Sequence, residues 1–119
     1  MIKILLALIA FLPFEHTHVD STMVRYGNLA TVKWESKPTV GIIRSKAVYR
    51  VMSEYQTILK EDIKKGSARY TQLMQKCTDK YKTAVRTVAS PKYALIVEQG
   101  GVSDYPTTDV TDLVIKTLK

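Results

Sequence analysis

Histidine and cysteine are almost missing from this 119-residue chain, which has His16, His18 and Cys77 only. One cysteine excludes an internal disulfide, and no Cys/His cluster of metal-ligand spacing can be assembled. His16 and His18 form a His-x-His pair, but two ligands near a chain end make a weak site. If a leader is removed, both leave with it or sit in its flexible flank. No histidine then remains as a general base near neutral pH. A glycine-rich phosphate loop is also absent. Glu61 and Asp62 are adjacent, so on a helix they point about 100° apart and cannot act as a catalytic carboxylate pair. These absences argue against an enzyme: we assign no catalytic residue, no metal and no cofactor.

Length is scarce as well. The N-terminal apolar run, residues 4–14, is too short to span a bilayer and fits the hydrophobic part of a secretory signal after Met1-Ile2-Lys3. Cleavage near Ser21 is expected, making residues 1–21 a signal peptide; an uncleaved inner-membrane anchor is the alternative. No cysteine follows the run, which excludes a bacterial lipoprotein signal. The destination read from this is the periplasm.

Positive charge is abundant, with a net +7. Residues 44–92 carry twelve Lys/Arg against four Asp/Glu, whereas residues 93–119 carry two against four. The field therefore belongs to the middle of the chain. It suits acidic partners such as anionic lipid, lipopolysaccharide or acidic polypeptide, or it is a solvated surface that keeps the protein soluble.

Stretch 44–89 carries two amphipathic helical patterns. Val48, Val51, Met52, Tyr55, Ile58, Leu59 and Ile63 recur at spacings of three and four, and so do Tyr70, Leu73, Met74, Cys77, Tyr81, Ala84, Val85 and Val88. Between them stands Lys64-Lys65-Gly66-Ser67. Gly66 suits the left-handed end of one helix and Ser67 the cap of the next. The pattern predicts a helical hairpin with a basic tip, over one long helix through Gly66. Arms of about 20 residues would project about 30 Å. Cys77 falls on the apolar stripe and reads as a buried structural thiol.

Flanking this, Ala30, Val32 and Trp34 alternate with polar residues as in a half-buried strand. Trp34 reads as a packing residue. Thr39-Val40-Gly41-Ile42-Ile43 forms a second β-like run. After Ser90-Pro91 stops the second helix, Tyr93-Ala94-Leu95-Ile96-Val97-Glu98 predicts a strand. Gln99-Gly100-Gly101 then predicts a turn, with residues 102–105 returning as its partner. Thr111 is expected to cap a terminal helix over 112–118, with Val110 and Ile115 as a hydrophobic staple. The fold class is α+β: a small β-containing body made by both chain ends, with a projecting antiparallel helical hairpin.

Thr83-Ala84-Val85-Arg86-Thr87-Val88-Ala89, Tyr93-Ala94-Leu95-Ile96-Val97, Gly101-Val102, and Asp109-Val110-Thr111-Asp112-Leu113-Val114-Ile115-Lys116 follow one another in an order that resembles the Skp/OmpH family of periplasmic chaperones. Thr39-Val40-Gly41-Ile42-Ile43 with Ala47-Val48-Tyr49 is similar to that family's first strand and first helix. The resemblance covers residues 39–119. It implies a homotrimer whose body is an oligomerisation unit and whose helical, coiled-coil-like arms surround unfolded outer-membrane proteins. Two departures stand out: the arms are much shorter than is usual there, and residues 22–38 have no counterpart, so they are expected to add a strand.

The function expected on these grounds is that of a periplasmic holdase-type chaperone for unfolded outer-membrane or envelope proteins, assisting outer-membrane protein assembly. Client contact is assigned to the basic surface of Lys60, Lys64, Lys65, Arg69, Lys76 and Lys80, with Met52, Tyr55 and Met74 as apolar contacts. The alternative is a non-enzymatic envelope or phage-related structural module that oligomerises without holding clients. Nucleic acid is not expected as a partner, because Tyr55, Tyr70 and Tyr81 lie on the apolar stripe and not among the cations.

Overall fold

The computed structural model describes residues 17–119; the apolar run and His16 lie outside the described residues. In chain order the elements are β1 His18–Val19, β2 Val24–Tyr26, β3 Val40–Ile43, α1 Ser45–Arg50, α2 Ser53–Lys60, α3 Ala68–Ala89, β4 Leu95–Glu98, β5 Val102–Ser103, β6 Thr108–Asp109 and α4 Thr111–Thr117. Among the described residues the protein is mixed α+β, with four α-helices and two small sheets.

The larger sheet has the order β2-β4-β3-β6. β4 is central: antiparallel to β2, parallel to β3 and fully buried at Leu95, Ile96 and Val97. Both faces of this sheet are covered. On one, Ile43 and Ile96 meet Val48 of α1, Met52 between α1 and α2, Cys77, Tyr81, Val85 and Ala89 of α3, and Val114 of α4. On the other, Val40, Leu95 and Val97 meet Val19, Met23, Leu29, Val32 and Trp34. A sheet buried on both sides needs near-continuous apolar strands, and this is why β3 and β4 read as unbroken hydrophobic runs. Each large apolar side chain buried there contributes roughly 1.5–3 kcal/mol.

Residues 17–36 thus close the second face of the sheet. They do so differently from expectation. No strand forms at 30–34; 3₁₀ turns occupy Leu29–Thr31 and Trp34–Ser36. Asn28 accepts from the backbone N–H of Ala30 at 3.0 Å, and the Ser36 hydroxyl donates to the Lys33 carbonyl. Such local bonds draw the backbone away from a ladder. The extra strand lies earlier, at β2. Trp34 packs edge-to-face on Tyr105 with ring centroids 5.0 Å apart, as a packing residue should.

His18 lies in a strand and not in a flexible flank. β1 pairs with β5, His18 against Ser103 and Val19 against Val102. This pairing also corrects the expected β-hairpin at 93–105. The turn is present, with Gly101 N–H donating to the Glu98 carbonyl, but both edges of β4 are already occupied by β2 and β3. β5 therefore leaves to pair with β1. A cleavage near Ser21 would remove β1 from the body.

The connection between the parallel neighbours β3 and β4 consists of α1, α2 and α3. The expected first arm is not one helix. It breaks at Val51-Met52, where Met52 is extended (ψ 135°) and lacks a side-chain cap. Gln56 folds back so that its side-chain amide donates to the Arg50 carbonyl released by the break. The break allows Val48 and Met52 to enter the core together while α2 turns to follow α3. At the far end Gly66 has φ +87° with open space around it, and the Ser67 hydroxyl accepts from the Tyr70 N–H at 3.2 Å. The chain turns there as its residues predict.

α4 begins one residue before expectation. Thr111 is its first residue, not its cap; Asp109 accepts the Thr111 N–H at 2.9 Å, while the Thr111 hydroxyl accepts from the Arg44 N–H at 3.0 Å. Val110 and Ile115 both pack in the helix-side core.

Candidate functional site

The candidate site is the surface of α2, its turn and the first half of α3. Cross-helix contacts hold α2 and α3 antiparallel: Arg69 to Glu61 at 2.6 Å near the tip and Lys80 to Glu54 at 2.6 Å further in, while Tyr49 of α1 bonds to Thr78 of α3 at 3.2 Å. The buried residues of α3 begin only at Cys77. Its preceding turns stand clear of the body, so the free part of the arm is shorter than the 22-residue helix itself.

All six expected basic residues are exposed. They divide into two groups. Lys64, Arg69 and Lys80 each reach a carboxylate: Asp62 at 3.1 Å, Glu61 and Glu54 respectively. Lys60, Lys65 and Lys76 form no ion pair among the described residues. The hydrogen bond from Lys80, more than its charge at a distance, holds the Glu54 carboxyl below the usual glutamate range. The free cations are thus the ones that lie open to an outside anion.

The apolar expectations fare unevenly. Met52 is only 3% exposed and belongs to the core, so it cannot touch a client in this conformation. Its position beside the helix break drives it inward. Tyr55 is half-buried and packs edge-to-face on Tyr49 at 6.3 Å, and Met74 is half-buried. Leu59, assigned to the packing stripe, is instead 57% exposed beside Lys60. Ile58 and Leu59 are consecutive and point about 100° apart on the helix; α2 packs on one narrow side, where Ile58 takes the interior place and Leu59 faces outward. That adjacency was the available signal.

Cys77 is fully buried, and burial pushes its thiol up from the usual range, keeping it protonated and unreactive. At the arm's root, Glu98 accepts the backbone N–H of Ser45 at 2.9 Å and its hydroxyl, and Arg25 at 3.2 Å. The Tyr81 hydroxyl bonds to Ser45 in turn, while burial raises its own pKa. This network fixes where the arm leaves the sheet. No helix among the described residues is long and apolar enough to cross a membrane. Set against protein-family models, curated proteins and solved structures, the chain matches none of them.

Proposed function

We propose that this protein is a non-enzymatic, periplasmic holdase of Skp/OmpH type, which keeps unfolded envelope or outer-membrane proteins soluble with short basic arms. One observation carries the reading: Lys60 and Lys65 are exposed without carboxylate partners, Lys60 next to an exposed Leu59, on a helical pair that stands off the body. Cations interleaved with apolar surface suit an unfolded chain that presents acidic and apolar segments together. In this reading three copies associate through their bodies. The outer edges of β2 and β6, each paired on one side only, support that association. The apolar N-terminal run supports export. Anionic lipid or lipopolysaccharide is a further acidic surface on which the same cations would act.

The test is suppression of aggregation of an unfolded outer-membrane protein, read by light scattering together with the mass of the complex. The proposal expects a soluble complex. It also expects the variant with Lys60, Lys64, Lys65 and Arg69 replaced by Glu to lose most protection while keeping its oligomeric mass. Equal protection by that variant would count against an electrostatic role.

A structural module that oligomerises without holding clients is the second reading. It is favoured by the burial of Cys77, Tyr81, Ala84, Val85 and Ala89 against the body, which leaves only the first turns of α3 free. An unchanged oligomer that takes up no client would select it.

A further inference from the structure

We propose that a cleft at the root of the arm, between β2, α1 and α3, binds a phosphate monoester. The cleft has a volume of about 400 Å³ and is lined by Arg25, Ser45, Tyr49, Thr78, Tyr81 and Lys82. It lies apart from the basic tip and does not depend on the chaperone reading.

The hydrogen-bond inventory of its walls is one-sided. Arg25 has five N–H donors; one goes to Glu98 at 3.2 Å and one to the Thr22 carbonyl at 3.2 Å, leaving the others open. Lys82 is exposed and forms no ion pair among the described residues. Tyr49 and Thr78 share a single hydrogen bond of 3.2 Å between their hydroxyls. Two O–H groups joined by one bond leave one O–H hydrogen to be donated elsewhere.

The carboxylate at the back does not offset this. Glu98 is already engaged by Arg25 and by the N–H and hydroxyl of Ser45. Ser45 is committed to Glu98, so Tyr81 must be the donor in their contact, and its oxygen retains acceptor capacity for a ligand hydroxyl. Counting Arg25, Lys82 and Glu98, the cleft carries one net positive charge. Cations and hydroxyl donors around a small concavity match an oxyanion with several acceptor oxygens. The tilted pair of Tyr49 and Tyr81, with ring centroids 5.1 Å apart, supplies an apolar wall for the carbon skeleton that carries it. A phosphate monoester satisfies both halves of the site. It could be presented by a soluble sugar phosphate or by a lipid headgroup.

The experiment titrates the purified protein with glucose 1-phosphate, and separately with phosphatidylcholine vesicles with and without phosphatidic acid. Amide and side-chain resonances of Tyr49, Thr78 and Lys82 are followed by NMR. Saturable shifts at these residues support the proposal, and the arm in which they appear identifies the source. Lys82→Gln should weaken binding about tenfold and Lys82→Arg should restore most of it. Lys82 is exposed and unpaired, so neither change threatens the fold; Thr78→Val gives a second, smaller loss. Absence of shifts in both arms overturns the proposal. So does binding that Lys82→Gln leaves unchanged, which would place the anion elsewhere on the basic surface.

Discussion

Glu98, at the end of the central strand, receives both the backbone N–H and the hydroxyl of Ser45, the first residue of α1. Arg25 from β2 closes on the same carboxylate, and Tyr81 of α3 reaches it through Ser45. One side chain thus joins four elements where the helical excursion begins. Glu98→Ala strands a backbone donor and a guanidinium, which costs about 2–3 kcal/mol. Urea unfolding should show the loss as a lower midpoint with an unchanged slope. A shift worth under about 0.5 kcal/mol would mean that water replaces the carboxylate fully.

Two glycines with similar backbone angles should respond very differently to alanine. A Cβ at Gly27 (φ +93°) would stand 2.1 Å from the Ala94 carbonyl oxygen, so backbone must move. At Gly66 (φ +87°) nothing lies within 4 Å, leaving only the strain of a left-handed alanine, about 1 kcal/mol. Thermal unfolding of the two variants should show Gly27→Ala several-fold more damaging. Equal losses would place Gly27 further from β4 than described.

Acid should loosen the arm through Glu54. Its hydrogen bond from Lys80 lowers its pKa in the folded state below the ordinary 4.5. A lowered folded-state pKa contributes stability above the unfolded value and loses it as pH falls through the folded one. Both partners retain contact with water, so the contribution is about 0.5 kcal/mol. Amide protection factors across α2 and the first half of α3, with the intrinsic pH dependence of exchange divided out, should fall about twofold below about pH 4.5 in the native protein. Glu54→Gln should show the lower protection already at neutral pH and stay nearly flat across that window.

If the proposed leader is removed, the position of the cut decides whether β1 survives. A chain starting at residue 22 lacks the pairing of Val19 with Val102 and the Asp20 N–H bond to the Gly101 carbonyl, 2.9 Å. It should unfold about 1–2 kcal/mol more easily than one starting at residue 17. If the chain is exported and cleaved, the intact mass of the product reports the boundary directly. Equal stability of the two chains would mean that the β1–β5 pair adds nothing to the body.

What could be read in the sequence followed the strength of local signals. Gly66 and Ser67 state their turn outright, because few other residues can take those places. Val40, Leu95 and Val97 lie in runs too apolar for an exposed strand. The misreadings came where partners distant in sequence, or competing local backbone bonds, decided the outcome. Val102 looks like the return strand of Leu95–Glu98 until β2 and β3 take both of its edges. Val32 and Trp34 alternate like a strand, yet Asn28 and Ser36 bond their own backbone first. Met52 carries an arm-like spacing, but the break beside it makes it a core residue. At the site, the cations were legible and their neutralisation was not: no spacing rule couples Lys80 to Glu54, 26 positions away.

β3 and β4 are parallel neighbours in fixed register, Val40 beside Leu95 through Ile43 beside Glu98, and α1, α2 and α3 lie between them in the chain. The arm is therefore spliced into a crossover whose two ends are clamped by the sheet. Its reach can be telescoped without renegotiating a single β-ladder bond. Adding one heptad to α2 and one to α3 lengthens it by about 10 Å, while closing the longer loop costs well under about 0.6 kcal/mol, the penalty for a full doubling. Reach is consequently a dial that mutation can turn independently of the platform.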